Sequence, residues 1–398
     1  MKIIHTSDWH LGQRLYNYDR TEEEEHFFDQ LVAAVGKEHP DALLVSGDVF
    51  HTGTPGNDVA KRFTERLLDV QAKCPEMETV VIAGNHDSYS RLVVDEALWR
   101  RCRVHVLGTP AEDERGMAEF SESIIEIPGK GMIAAVPFCH SRNFPMVESA
   151  SGEDRVRNYF EALAQHVKDR ANGLPTVLMA HLAVAGDLDF RGHDKMLVVG
   201  GEESIGLDGL GSVYDYVALG HIHCPQWVKG EKKVARYCGT PRAIHFDEMH
   251  GHGVDVVAVT AGNAPVVRTE AFEPLHPLVT LGGEGGMPFD DVLKLVAETD
   301  LAAGAYIRLN VRLDKGELPG PDWTERSRQA CQAKKLRFCL NNPICTDTSE
   351  RQEHKKMLTM AELKELSDDE VLQILSTRHE LSARQCELIK SLMKEMPA

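Results

Sequence analysis

The chain has 398 residues, 42% of them hydrophobic, and carries 44 Lys plus Arg against 62 Asp plus Glu, a formal charge of −18 at pH 7. This length and apolar content exclude a disordered or fibrous chain and predict one sizeable domain with appendages. The negative balance argues against a protein that grips nucleic acid through a basic face alone. Nine Cys is an odd count without Cys-x-x-Cys spacing, which argues against a disulfide framework, and Cys74, Cys102, Cys139 and Cys224 read as packing residues.

In chain order, Met1-Lys2-Ile3-Ile4-His5 runs straight into a strand with no apolar leader. No stretch reaches the roughly 20 apolar residues that a bilayer crossing needs, so a cytoplasmic location without membrane attachment is expected. The strand Ile3-Ile4 is followed by Asp8-Trp9-His10, and a small basic patch of Arg14, Tyr16 and Arg20 comes next. Thr21 to Glu24 reads as a capping box for a helix with Phe27, Phe28, Leu31, Val32 and Val35 on one face. The run Ala42 to Val45 ends in Gly47-Asp48, with His51 three residues on, and a second helix is expected from about Asn57 to Ala72. Val80 to Ala83 ends in Gly84-Asn85-His86-Asp87, ahead of a second basic cluster, Arg100, Arg101 and Arg103. Val177 to Ala180 ends in His181, and Val217 to Leu219 ends in Gly220-His221-Ile222-His223. Each of these apolar runs is short enough to be a fully buried strand, and open α/β sheets place their active-site residues just beyond strand ends.

After a strand at Val254 to Val259, the turn Thr260 to Pro265 and the loop Gly282 to Gly286 mark a second module. Phe289 to Glu298 reads as a helix and Ala305 to Leu313 as a strand, giving a small α/β cap with no metal or nucleophile pattern. Asp347 to Lys356 resembles a polar linker, and two amphipathic helices are expected beyond it, one with Val371, Leu372, Ile374 and Leu375, the other with Cys386, Ile389, Met393 and Met396. The expected division is 1–262, a catalytic domain; 263–345, a cap; and 346–398, a linker and helical tail.

Asp8, His10, Asp48, Asn85, His181, His221 and His223 together offer two carboxylates, an amide and four imidazoles, with no thiolate. Such a mixed oxygen and nitrogen set suits Mn²⁺, Fe²⁺ or Zn²⁺ better than Ca²⁺ or an iron–sulfur cluster. Mn²⁺ is the expected ion, with Mg²⁺ or another divalent cation as the alternative. Asp48, following a strand with ligands on either side, is the natural bridge between two cations about 3.5–4 Å apart, the spacing used by two-metal hydrolases. A lone Asp-x-His or Gly-Asp decides nothing; it is the ordered ensemble that is specific.

The series Asp-x-His, Gly-Asp, Gly-Asn-His-Asp, His, Gly-His-x-His, over about residues 1 to 225, resembles the calcineurin-like metallophosphoesterase superfamily. The resemblance implies a fold of two packed sheets flanked by helices, here with a small α/β cap domain and a C-terminal helical tail. Three further stretches, His5 to Gly12, Gly47 to Phe50, and Arg236 to Pro241 with Phe246-Asp247-Glu248, resemble the SbcD family of bacterial nucleases over nearly the whole chain. That resemblance implies one metal held by Asp8, His10, Asp48 and His223, and a second by Asp48, Asn85, His181 and His221. It implies in-line attack on a phosphodiester by metal-activated water, with His86 donating a proton to the leaving 3′ oxygen. Asp87 is expected to orient the His86 ring, and His51 to contact the phosphate.

By the same resemblance, the expected function is the DNA nuclease component of a complex, with 3′-to-5′ double-strand exonuclease and single-strand endonuclease activity. The tail would bind the coiled coil of an SbcC-type ABC ATPase, in a helix-in-groove manner, within a heterotetramer built on a homodimer. No Gly-x-x-x-x-Gly-Lys-Ser/Thr loop occurs in the chain, so ATP would be handled by the partner. The competing readings are a small-molecule or cyclic-nucleotide phosphodiesterase, a phosphoprotein phosphatase, and a non-catalytic scaffold. Phosphatases usually follow Gly-Asp with Asp-Arg-Gly and use Gly-Asn-His-Glu, where this chain has Phe50-His51-Thr52-Gly53 and Asp87. A scaffold would be expected to have lost ligands, and none is missing.

Overall fold

Strand runs with no polar residue on either face demand cover on both sides, and two sheets packed face to face, each backed by helices, supply it. The structure is a computed structural model that describes residues 1–147, 154–185, 188–189, 205–230, 234–314 and 317–345. In the first sheet β1 (Lys2–Thr6), β2 (Ala42–Ser46), β3 (Glu78–Ile82) and β4 (Val104–Leu107) pair in parallel. The antiparallel strands β11 (Gly253–Ala258) and β12 (Val266–Ala271) extend it beyond β1. The second sheet has a parallel centre of β6 (Gly131–Val136), β7 (Thr176–His181), β8 (Tyr216–Gly220) and β10 (Ala235–Tyr237), edged by β5 (Ile124–Ile127) and β9 (Gln226–Trp227).

Side-chain alternation divides each run between two cores. In β2, Ala42 and Leu44 face the second sheet, whereas Leu43 and Val45 face the helices α1 (Thr21–Glu38) and α2 (Asn57–Lys73). In β7, Val177 and Met179 join the layer between the sheets, and Leu178 and Ala180 pack beneath the helix Arg155–Ala171. The helices predicted from Thr21, Asn57 and Phe289 are present, but the capping box is not: Thr21 is already helical, its N–H is accepted by the Asp19 carboxylate at 2.9 Å, and Glu24 turns instead to the Gly12 N–H at 2.7 Å and to Arg62. Arg20, read from sequence as part of a basic patch, is buried, while Cys102 is exposed. No helix among the described residues is long and apolar enough to cross a membrane.

The turn at 260–265 is the connection between β11 and β12, so the first sheet continues to Ala271. Beyond it, β13 (Leu278–Leu281), β14 (Tyr306–Leu313) and β15 (Arg337–Cys345) form a three-stranded sheet, accompanied by the helices Phe289–Glu298 and Trp323–Ala333. Its core includes Val292, Val296, Ile307, Leu309 and Phe338, with the Phe289 and Trp323 rings stacked at 4.4 Å. Residues 1–311 and 320–342 form one compact unit; the described residues 312–314, 317–319 and 343–345 belong to a second. The tail helices and linker expected beyond residue 346 lie outside the described residues.

A titratable ring sits between the two sheets. His5 is fully buried, its Nδ1 2.9 Å from the Tyr216 hydroxyl, and burial, reinforced by Arg236, lowers its pKa from 6.5 to about 3. Below pH 6.5 the unfolded chain therefore binds a proton that the folded chain refuses, and stability falls as the pH drops towards 3. The contribution lost between pH 6.5 and pH 4 is on the order of 3 kcal/mol. Denaturant titrations at stepped pH should show this slope, and His5→Gln, which keeps a partner for Tyr216, should flatten it.

Candidate metal centre

The seven sequence-predicted donors all follow strand ends on facing edges of the two sheets. Asp8 and His10 come after β1, Asp48 after β2, Asn85 after β3, and His181, His221 and His223 at and beyond the ends of β7 and β8. Backbone bonds knit the first two loops together: Asp8 N–H to Gly47 O (2.9 Å), His10 N–H to Asp48 O (3.0 Å) and His51 N–H to Leu11 O (3.0 Å). In each ligand-x-ligand motif the middle residue is an anchor. Trp9 packs on Phe27 and Phe28 in the first sheet's outer core, and Ile222 lies in the second sheet's outer core.

Close approach explains the glycines. A Cβ on Gly84 would collide with the Asp48 carboxylate and backbone, and one on Gly220 with the Ser46 carbonyl. Four donors also adopt left-handed backbone conformations: Asp8 (φ 53°), His10 (45°), Asp48 (50°) and His221 (101°). Non-glycine residues enter that region at a cost of roughly 1–3 kcal/mol each, and they collect at functional sites.

Around Asp48 the donors divide into two groups. On one side Asp8, His10 and His223 offer ligand atoms within 4.8 Å of one another, and His10 Nε2 lies 3.7 Å from Asp48 Oδ2. That nitrogen is buried without a hydrogen-bond partner among the described residues. On the other side the Asn85 Oδ1 atom is 3.0 Å from both His181 Nε2 and His221 Nδ1, and His181 Nε2 is 3.5 Å from Asp48 Oδ2. His181 Nδ1 sits 2.8 Å from the Ser46 carbonyl, which fixes the proton there and leaves Nε2 a lone pair directed at another acceptor. Acceptors facing acceptors, with an orphaned imidazole nitrogen beside a buried carboxylate, fit divalent cations among them. Burial pushes the Asp8 carboxyl up despite the pull of His223, and burial with the neighbouring His223, His86 and His51 rings holds His10 well below its ordinary value.

His86 is brought to the same place without joining the donor set. Its N–H donates to Asp48 Oδ1 (2.9 Å), its ring lies 4.9 Å from that of His10, and its Nδ1 is 3.0 Å from the His51 carbonyl. The group that orients this ring is thus the His51 carbonyl, not Asp87. Asp87 instead accepts the backbone N–H groups of Val49 (3.0 Å), Phe50 (2.8 Å) and Gly84 (2.9 Å), tying the β2 and β3 loops together. Its pKa is raised by burial to about 6, against those three bonds. The His51 ring stacks on His86 at 5.8 Å, with Nδ1 3.5 Å from His10 Nδ1.

Sequence reading assigned no role to Glu248. It is buried, and its Oε1 lies 3.1 Å from His223 Nδ1, so it fixes the orientation of that ring. Its other oxygen accepts from the Thr240 hydroxyl (3.2 Å) and the Ile244 N–H (3.0 Å). The signal was present only as part of the stretch Phe246-Asp247-Glu248, far in sequence from any donor.

Two parallel-centred sheets with strand-end donors of this chemistry define a metallophosphoesterase, and the family model described as calcineurin-like phosphoesterase matches residues 1–225. Among curated proteins the chain is 30% identical over 356 residues to SbcD, the D component of nuclease SbcCD, of Rhodobacter capsulatus, covering 85% of this chain and 86% of that one. It is 32% identical to the Bacillus subtilis SbcD (72% and 73% covered) and 29% identical to that of Escherichia coli (70% and 69%). The chain belongs to the SbcD family of calcineurin-like phosphoesterases.

Replacing Glu248 by Gln removes the charge that fixes His223 while keeping its size, and should weaken divalent-metal affinity about 10–100-fold. Calorimetric titration with Mn²⁺ reads this directly, and unchanged affinity would remove Glu248 from the centre. Gly84→Ala should lose metal binding more completely, because the added methyl group displaces the Asp48 carboxylate.

Proposed function

We propose that this protein is the metal-dependent nuclease of a two-protein complex and hydrolyses DNA phosphodiesters at ends and hairpins, as a 3′-to-5′ double-strand exonuclease and single-strand endonuclease. The observation that carries the reading is the convergence of Asp8, His10, Asn85, His181, His221 and His223 around Asp48, in a chain whose relatives, matched over most of their length, are named as the D component of nuclease SbcCD. Two Mn²⁺ ions are the proposed occupants, sharing Asp48; bound there, they would supply Lewis acidity at the phosphoryl oxygens.

The chain's own residues supply the remaining chemistry. Holding Nδ1 at the His51 carbonyl leaves His86 Nε2 to carry a proton to the departing oxygen. His51, half-buried and stacked on His86, is placed to contact a phosphate. Asp87 keeps the Asp48 and Asn85 loops in register. In this reading residues 263–345 carry a cap that seats DNA ends, its own sheet starting at β13, and residues 346–398 carry the helices that dock on the coiled coil of an SbcC-type ABC ATPase. The nuclease pairs as a homodimer within that assembly and works in the cytoplasm. The −18 formal charge is consistent with phosphate affinity drawn from bound cations and from the partner rather than from this chain's surface.

Mn²⁺-dependent hydrolysis should be seen on linear duplex and hairpin DNA; activity confined to cyclic nucleotides or a phosphopeptide would replace this reading with a phosphodiesterase or phosphatase. His86→Gln should keep full metal content by mass spectrometry and lower kcat about a hundredfold or more. Ending the chain after residue 346 should abolish co-purification with the ATPase partner and leave metal-dependent hydrolysis intact.

A further inference from the structure

β11 is entered through Glu248-Met249-His250-Gly251-His252. A Glu-x-His-x-His spacing puts all three donors on one face wherever the chain is extended, because alternate side chains share a face. Here the ligand-capable atoms of Glu248, His250 and His252 lie within 4.8 Å of one another, and the two imidazole rings are 4.7 Å apart. Neither His belongs to the seven-donor centre.

Both rings present a nitrogen with nothing to bind. Nε2 of His250 and Nε2 of His252 are buried and have no hydrogen-bond partner among the described residues. His252 Nδ1 lies 3.0 Å from the Thr240 carbonyl, so the proton resides on Nδ1 and Nε2 keeps its lone pair. His250 has the His223 carbonyl as its backbone acceptor. An imidazole anchored through one nitrogen to a carbonyl, with the other nitrogen left without a hydrogen-bond partner, is how proteins prepare a metal ligand. The segment is reachable from solvent: Met249, between the donors, is 78% exposed, and both His side chains are only partly buried.

We propose that Glu248, His250 and His252 form a third cation site, separate from the Asp48 centre, that takes zinc or a similar borderline divalent ion. Two imidazoles and one carboxylate with an open fourth position match that class better than Mn²⁺ or Mg²⁺, which favour oxygen-rich shells. The site is linked to hydrolysis through its carboxylate. Glu248 Oε1 is the partner of His223 Nδ1, and an ion that takes a Glu248 oxygen competes with that bond. Zinc at this site therefore loosens His223 and lowers Mn²⁺-dependent activity.

The link to hydrolysis rests on the nuclease reading, whereas the zinc content does not. Full-length wild type, His250→Gln and His250→Gln/His252→Gln are incubated with excess Mn²⁺ and graded Zn²⁺, freed of unbound metal by gel filtration, and analysed by inductively coupled plasma mass spectrometry. Wild type should retain one more zinc per chain than either variant, and its DNA hydrolysis should be inhibited at a zinc concentration at least tenfold lower. In Mn²⁺ alone the three proteins should be equally active. Equal zinc content in all three overturns the site; lower zinc content in the variants with unchanged zinc inhibition overturns the link through Glu248. Were DNA hydrolysis absent in every protein, the nuclease reading would fail while the zinc count still decided the site.

Discussion

The centre depends on one buried carboxylate, that of Asp48, reached from both sides. It follows β2 in the middle of the first sheet, in a left-handed conformation, with His86 N–H on one oxygen and the His10 and His181 rings near the other. A charge so placed is costly in a low-dielectric interior unless cations compensate it. The protein holds it there by geometry it cannot easily relax. The layer formed by Leu44, Val80, Ile133, Met179 and Ala218 fixes the spacing of the sheets, and with it the distance between donors of β1–β3 and donors of β7–β8. The strained ligand loops are then locked by backbone bonds between the β1 and β2 loops and by Asp87 between the β2 and β3 loops.

Much of this was legible in the sequence because strand and ligand signals are local. Apolar runs of two to four residues marked the positions of β1, β2, β3, β7 and β8, and the donors lay just beyond them. What depended on long-range contact was not legible. Asp87 adjoins His86 in sequence, which suggested that it holds the ring, but its carboxylate faces the backbone of Val49 and Phe50, almost forty residues earlier. Thr21 and Glu24 have the spacing of a capping box, yet Glu24 is claimed by Gly12 and Arg62, a stronger set of partners than a helix N–H. Glu248 gave no local sign of its bond to His223, because the bond closes a loop of 25 residues.

The three-stranded module illustrates how a surface appendage is tied to a catalytic body. Tyr306 of β14 donates its hydroxyl to Glu23 of α1 (2.6 Å), and Arg337 of β15 donates to the same hydroxyl (2.6 Å). Arg308 pairs with Asp247 and lies over the Phe246 ring, while the Tyr18 hydroxyl donates to the Phe338 carbonyl. These contacts place the module over two loops, the one following Asp8 and His10 and the one preceding Glu248. Two of the module's arginines, Arg308 and Arg337, are thereby committed to internal contacts.

Glu23 and Glu24 carry that connection into the centre. Adjacent on the first turn of α1 and both buried, they point to different neighbours: Glu23 to Tyr306 of the module, Glu24 to the Gly12 N–H, Arg62 and Arg242. Arg242 in turn donates to the carbonyls of Trp9 and His10 at 3.3 and 3.2 Å. Burial drops its pKa to about 10, still far above neutrality, so it is a cation that needs Glu24. Moving the module away would strand Glu23 without its hydroxyl partner one residue from the carboxylate that holds the His10 loop. A buried polar network tolerates partial disassembly poorly, because each orphaned group bears its full desolvation cost. The start of α1 is therefore where the position of the module and the geometry of the candidate metal ligands are set by one shared anchor.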